Sequence, residues 1–152
     1  MDIFIDTSIW ISSRFGAGPE HDWAVQCLDR KSGLFISPYV IDEVVAYCLG
    51  SRDLKHKRLP ERRAMADAFL KLFQESGAVQ VLSVGDAQFG EAKTLFESSG
   101  LSLSLTDWTD LIVARDNRIS DVASFDRAFR DCVKIPGFER IRMLPRQDGP
   151  AP

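Results

Sequence analysis

The chain is short of three things, and each shortage removes a class of function. Its three cysteines, Cys27, Cys48 and Cys132, are odd in number and far apart. That spacing is not a disulfide framework and predicts reduced, buried thiols. His21 and His56 are the only histidines and no cysteines stand close together, so the usual ligand set of a structural zinc site is missing. Long apolar runs are missing too: none approaches the roughly 20 residues that cross a bilayer. Asp2 and Asp6 interrupt the N-terminal segment where a basic and then apolar leader would stand, so a cytoplasmic protein is expected. Excess positive charge is the third shortage. Nineteen Lys and Arg face 22 Asp and Glu, a net charge of −3. Such a chain does not coat nucleic acid through its overall charge, and any such contact needs a local patch. No repeat or low-complexity stretch is present.

What is present suits one globular unit. With 152 residues, 45% of them hydrophobic, the chain can bury its own core. We expect a single domain over residues 1–144 and a loose, polar, proline-rich tail over 145–152. A strand is predicted at 3–5 and a helix over 7–15, followed by a turn at Gly16-Ala17-Gly18-Pro19. A helix over 20–30 would turn Trp23, Ala24, Cys27 and Leu28 inward. After a strand at 34–36, Ser37-Pro38 reads as N-cap and first turn of a helix that stops at Gly50. A basic connector covers 52–63. A helix over 61–74 is expected to bury Ala64, Ala68, Phe69 and Leu72. A strand at 79–84 follows, then a helix over 86–97 burying Phe89, Ala92 and Phe96. Ser104-Leu105-Thr106-Asp107 matches a capping box, with Asp in the last place, and opens a helix to 117. A strand at 119–125, a short turn from 127 and an edge strand at 141–144 complete the chain. Strands alternating with helices predict an α/β fold: a three-layer α/β/α sandwich around a central, mostly parallel sheet.

Several acids stand where chemistry is expected. Asp6 ends the first strand and Asp126 the strand at 119–125, and in open parallel sheets ligands bind beyond such strand ends. Glu43 lies in a helix that is apolar nearly all round, and Asp42 beside it competes for the same role. Asp107 sits in a first helical turn, where N–H groups and the dipole favour an anion. Asp110 follows at i+3 on the same face. Like charges about 4 Å apart repel by roughly 4 kcal/mol at an effective dielectric near 20. Converging carboxylates therefore need protons or a cation, and an all-oxygen set selects a hard ion such as Mg²⁺ or Mn²⁺. Such an ion polarises phosphate and activates water. The ordinary alternatives are a turn role for Asp126, helix capping for Asp107 and local backbone bonds for the nearby hydroxyls.

Positive charge is concentrated in one place. Arg52, Lys55, Lys57, Arg58, Arg62 and Arg63 lie within twelve residues, with only Asp53 and Glu61 opposing them. This is the patch that would hold a phosphate backbone, with Arg14 and Arg127 as further candidates. Its ordinary reading is a solvated loop and helix end.

Four segments, taken in order, resemble the motifs of PIN-domain proteins, above all the VapC-type toxins of toxin–antitoxin pairs and their archaeal relatives. They are Ile3-Phe4-Ile5-Asp6-Thr7-Ser8, Ile36-Ser37-Pro38-Tyr39-Val40-Ile41-Asp42-Glu43-Val44, Leu103-Ser104-Leu105-Thr106-Asp107 and Val122-Ala123-Ser124-Phe125-Asp126-Arg127-Ala128-Phe129. The resemblance implies that Asp6, Glu43, Asp107 and Asp126 form an acidic quartet holding one or two Mg²⁺ or Mn²⁺ ions. It implies endoribonuclease action, leaving a 5′-phosphate and a 3′-hydroxyl. Thr7, Ser8 and Ser124 would orient water or phosphate oxygens. Asp110 is an extra acid, either a fifth ligand or a reinforcement of the negative field. Trp108 departs from the pattern, where a smaller residue is expected; it would stack on a base or pack in the core. The resemblance also implies a homodimer and a small antitoxin whose Arg enters the acidic site. The alternatives are an RNA-processing nuclease without antitoxin and a non-catalytic RNA- or protein-binding module. A haloacid-dehalogenase-like phosphatase would need a second Asp where Ser8 stands. A receiver domain would need an acidic pair before its phosphorylated Asp, and none precedes Asp6.

Overall fold

A computed structural model of the chain describes residues 1–29 and 33–145. Ile3-Phe4-Ile5 forms β1 (Ile3–Ile5), with all three side chains buried. Asp6 then N-caps α1 (Thr7–Phe15), accepting the Ser8 backbone N–H. α2 (Pro19–Leu28) returns the chain, with Ala24 and Cys27 buried and Trp23 and Leu28 packed against the core. The predicted end of that helix at Arg30 lies outside the described residues, as does the tail beyond Pro145. β2 (Leu34–Ile36) leads into α3 (Pro38–Gly50), where Ser37 accepts the N–H groups of Tyr39 and Val40. A 3-10 turn, Arg52–Leu54, precedes α4 (Leu59–Glu75). Next come β3 (Val79–Val81), α5 (Asp86–Ser98) and α6 (Leu105–Asp116). β4 (Asp121–Ala123), a 3-10 stretch at Arg127–Lys134 and β5 (Arg142–Leu144) finish the fold.

The five strands form one wholly parallel sheet in the order β3-β2-β1-β4-β5. The chain walks outward from β1 to β3, then crosses back to place β4 on the other side of β1. With right-handed crossovers, this reversal puts α1–α4 on one face and α5–α6 on the other. It also creates a switch point between β1 and β4, the place where such sheets open a ligand crevice beyond the strand ends.

Helix packing follows that division: α1 meets α2 and α3, α3 meets α4, and α5 meets α6. Every residue of α6 from Trp108 to Ala114 is buried. The three cysteines are all buried thiols. Among the described residues no helix is long and apolar enough to cross a membrane.

Three strands are shorter than expected. β3 stops at Val81, β4 starts at Asp121 and stops at Ala123, and β5 starts at Arg142. The central strands set this limit, because β1 and β2 each turn into a helix after three residues and the ladder ends with them.

Two helices bury a different stripe from the one expected. In α4 the core face is Ala66, Phe69 and Phe73, while Ala64, Ala68 and Leu72 are exposed. In α5 only Ala92 is fully buried, and Phe89 and Phe96 are 40% and 52% exposed. Both helices carry apolar residues on more than one face, so periodicity alone does not choose the side that packs.

Candidate active site

Asp6 stands at the switch point. It extends β1 by one bond, its N–H donating to the Ala123 carbonyl of β4 at 2.9 Å. The side chain is only 7% exposed. Its Oδ2 accepts the hydroxyls of Ser8 and Ser124, the latter at 2.8 Å, as well as the Ser8 N–H. Ser124 in turn accepts the Asp126 N–H at 3.0 Å, and Ser8 Oγ accepts the Phe125 N–H at 3.0 Å. The two predicted hydroxyls thus tie the β1 and β4 ends together around one carboxylate. Burial raises the pKa of Asp6; the bonds from Ser8 and Ser124 oppose that rise, and the charge of Asp107 adds to it.

Glu43 is held from two sides. Thr7 donates to its Oε2 at 2.6 Å and Thr106 to its Oε1 at 2.9 Å. Thr7 belongs to the first turn of α1 and Thr106 to that of α6, so both oxygens are fixed by elements from opposite faces of the sheet. The neighbouring Asp42 is exposed. Asp107 completes the expected capping box, its Oδ2 accepting the Ser104 N–H at 2.6 Å while its own N–H donates to Ser104 Oγ at 3.1 Å.

Asp110 is the most constrained acid. It is 3% exposed, and its Oδ1 has no hydrogen-bond partner. Its pKa is raised well above the ordinary aspartate value, first by burial; a bond from Ser37 opposes this, and the charges of Asp6, Glu43 and Asp107 add to it. The charges of Asp6, Glu43 and Asp107 thus reach Asp110, and that of Asp107 reaches Asp6. Asp126 stands at the rim: it is exposed, and its Oδ1 caps the following 3-10 stretch by accepting the Ala128 N–H at 2.8 Å. Among the described residues no three acidic, histidine or cysteine side chains converge closely enough to hold an ion as they stand.

Trp108 takes the packing role. It is fully buried, edge-on to Phe138 at 5.7 Å, and does not line the site. The basic connector is exposed except for Leu54 and the half-buried Ser51, Lys57 and Arg62. Arg62 donates to the backbone carbonyls of Leu54 and Leu49, at 3.0 and 2.9 Å, and so secures the connector to α3. Arg14 and Arg127 are exposed.

Sequence reasoning missed two residues as site partners. Thr106 was legible only as part of a capping box, although a hydroxyl one residue before Asp107 at a helix start was a signal. Ser37 was legible as an N-cap, and nothing in its spacing points to Asp110.

A family model, the PIN domain, matches residues 3–134. No curated protein matches the chain. Among solved structures, the chain is similar to VapC20 of Mycobacterium tuberculosis, described as a toxin that cleaves the sarcin–ricin loop. The identity is 22% and the TM-score 0.66, over 86% of this chain and 95% of that one. It is also similar to FitAcB from Neisseria gonorrhoeae, at 12% identity and a TM-score of 0.59 over 93% and 95% of the two chains. A third likeness is to FitAB bound to a DNA fragment, at 16% identity and a TM-score of 0.64 over 93% of each chain. The fold with its β1–β4 switch point and the family match over most of the length agree: this chain belongs to the PIN-domain family.

Proposed function

We propose that this protein is a divalent-metal-dependent endoribonuclease and the toxin of a toxin–antitoxin pair. One observation carries the reading. The charges of Asp6, Glu43 and Asp107 reach the buried Asp110, that of Asp107 reaches Asp6, and one buried oxygen of Asp110 has no hydrogen-bond partner among the described residues. An unpartnered buried polar atom costs about 1–3 kcal/mol, and more when it is charged. A cation bound among these acids would offset that cost.

The donor set fits Mg²⁺ or Mn²⁺ by its chemistry, being all oxygen and strongly negative. Asp6, Glu43, Asp107 and Asp126 would hold the ion, with Asp110 as a further ligand or as a source of negative field. Bound there, the ion would supply Lewis acidity at the phosphate and an acidified water. The chain's own residues do the rest. Ser8 and Ser124 orient Asp6, and Thr7 and Thr106 fix the two oxygens of Glu43. Thr7, Ser8 and Ser124 would also orient water or phosphate oxygens.

Single-stranded RNA would reach the site along exposed cations: Arg14, Arg127, and the stretch of Arg52, Lys55, Lys57, Arg58 and Arg63, with Arg62 contributing charge while anchoring the loop. The partners that go with this reading are a second copy of the chain and a small antitoxin whose Arg enters the acidic cluster by a charge-assisted contact. VapC20, described as a toxin, and the FitAB complex on DNA support that part of the reading.

The test is cleavage of a mixed RNA pool in Mn²⁺, Mg²⁺ or EDTA, with Asp6→Asn beside the native protein. Metal-dependent cutting that the variant loses supports the proposal. A folded, inhibitor-free protein that cuts nothing with either ion, yet still retains RNA or an antitoxin-like partner, would make it a binding module.

A further inference from the structure

The proposed active site has an aromatic annex. Ser8, Ile11, Ser12, Phe15, Gly16, Glu20, Tyr47 and Phe125 line an open pocket of about 370 Å³. It adjoins the acidic cluster through two bonds already described. Ser8 donates to Asp6 and accepts the Phe125 N–H, so one side chain belongs to both the site and the pocket wall. Phe125 also stands between Ser124, which bonds Asp6, and Asp126.

The walls are rich in aromatic rings. Phe15 and Tyr47 lie with ring centroids 5.6 Å apart, and Tyr47 is held by its hydroxyl donating to Asp53 at 3.1 Å. Phe125 is braced edge-on by Trp23 at 5.8 Å. At Gly16 the rim is bare backbone, where an added Cβ would meet the Ser12 carbonyl oxygen at 2.6 Å. Among apolar and small polar groups, Glu20 is the lone charged side chain of the lining. Hydroxyls and aromatic faces bind many things, but a carboxylate at the edge of an aromatic slot accepts N–H donors lying in the plane of a ring.

We propose that this pocket seats a nucleobase of the RNA next to the scissile phosphate, and that Glu20 selects guanine. The inference rests on the nuclease reading and names the substrate feature that reading leaves open. Single-stranded RNA is commonly read by stacking unpaired bases on aromatic rings and bonding their Watson–Crick edges. Guanine presents two adjacent donors on that edge, N1–H and the 2-amino group, which match the two oxygens of one carboxylate. Cytosine and adenine offer an amino group beside an acceptor. Uracil offers one N–H between two carbonyls, which a carboxylate repels. An apolar side chain from a protein partner is the competing occupant, and it would leave Glu20 without a purpose.

The test separates the pocket from the chemistry. In the first arm, GMP, IMP, AMP, CMP and UMP are titrated into the ¹⁵N-labelled protein, following the Ser8, Gly16 and Phe125 amides and the Trp23 indole. GMP should move these signals and bind about tenfold more tightly than IMP, which lacks the 2-amino group. Glu20→Gln, at an exposed position, should erase that difference. Phe125→Leu should weaken all bases alike, by about tenfold. In the second arm, cut sites are mapped in a random RNA pool with Mn²⁺. Native protein should cut with guanine at one fixed position beside the cleaved bond, and Glu20→Gln should lose that preference, with KM rising more than kcat falls. If RNA is cut with the same preference by Glu20→Gln and no nucleotide shifts the pocket signals, the base pocket is overturned and the nuclease stands. If the nucleotides bind in the expected order but no RNA is cut, the pocket stands and the nuclease reading fails. Silence in both arms overturns both and leaves the pocket to a protein side chain.

Discussion

Two aspartates at opposite ends of the same sheet are almost equally buried and have opposite surroundings. Asp121 opens β4 and is 1% exposed; Asp110, in α6 beyond the other end of the strands, is 3% exposed. Asp121 has a cation of its own. Arg142 on β5, its register partner, places Nε 2.7 Å from Oδ1 as an ion pair and donates from Nη2 to Oδ2 at 2.9 Å. Asp110 has no cation. Each aspartate keeps one oxygen, Oδ1, without a hydrogen-bond partner among the described residues, but that of Asp121 lies beside Arg142 while Asp110 feels the charges of Asp6, Glu43 and Asp107. Burial alone therefore says little about an acid's role. What matters is whether the fold supplies the opposite charge, and at the β1–β4 switch point it does not.

Asp110→Asn and Arg142→Ala should break the comparison in opposite directions. Asp110→Asn removes a like charge from the cluster. Metal-dependent RNA cleavage should fall by up to about 100-fold, the upper end for a group that supports a metal site. Stability should meanwhile hold or rise by about 1 kcal/mol, roughly 2–4 °C in Tm for a domain of this size. Unaltered cleavage would return Asp110 to a purely structural role. Arg142→Ala leaves Asp121 buried and uncompensated. Breaking a fully buried pair costs about 3–5 kcal/mol, and because the Arg142 side chain is 51% exposed, about 2 kcal/mol is expected here. Urea melts would show this, and cleavage per folded molecule should not change.

Thr106→Val sharpens the picture of Glu43. It deletes one of two bonds to that carboxylate and keeps the shape of the side chain. A bond to a charged group is worth about 1.5–3 kcal/mol, so a loss of about tenfold or more in kcat is expected, with Tm nearly constant. A drop in Tm without loss of activity would make Thr106 a capping residue only.

The smallest effect is a slope. Burial lifts the pKa of Asp6, and that of Asp110 further, above the ordinary aspartate value. Between the ordinary and the raised values the folded chain keeps protons that the unfolded chain has released. Stability therefore falls as pH rises through that window. Thermal melts across mildly acidic pH should show this decline, and Asp110→Asn should flatten it. Added Mn²⁺ should restore Tm at the high end in the native protein and not in Asp6→Asn, by binding only the folded state.

Much was legible from local chemistry. Strand β1, the Ser37-Pro38 helix start, the Ser104–Asp107 capping box and the strand–helix alternation all depend on neighbours within four residues, where the sequence is the whole cause. The sequence also singled out Asp6, from its strand end, and Glu43, from the motif, against the adjacent Asp42, which is exposed. The inward faces of α4 and α5 were not legible, because Ala64, Ala68 and Leu72, or Phe89 and Phe96, make as good an apolar stripe as the residues that pack.

The sequence by itself determined which residues begin helices, which runs become strands and which acids are available. Only the tertiary structure decided how those acids differ. Asp110 and Asp121 are the same residue in runs of similar polarity, separated by eleven positions. The crossing of β4 to the far side of β1 sets one against Arg142 and turns the other toward three carboxylates. The field at a buried charge is a sum over groups distant in the chain, and no local pattern contains it.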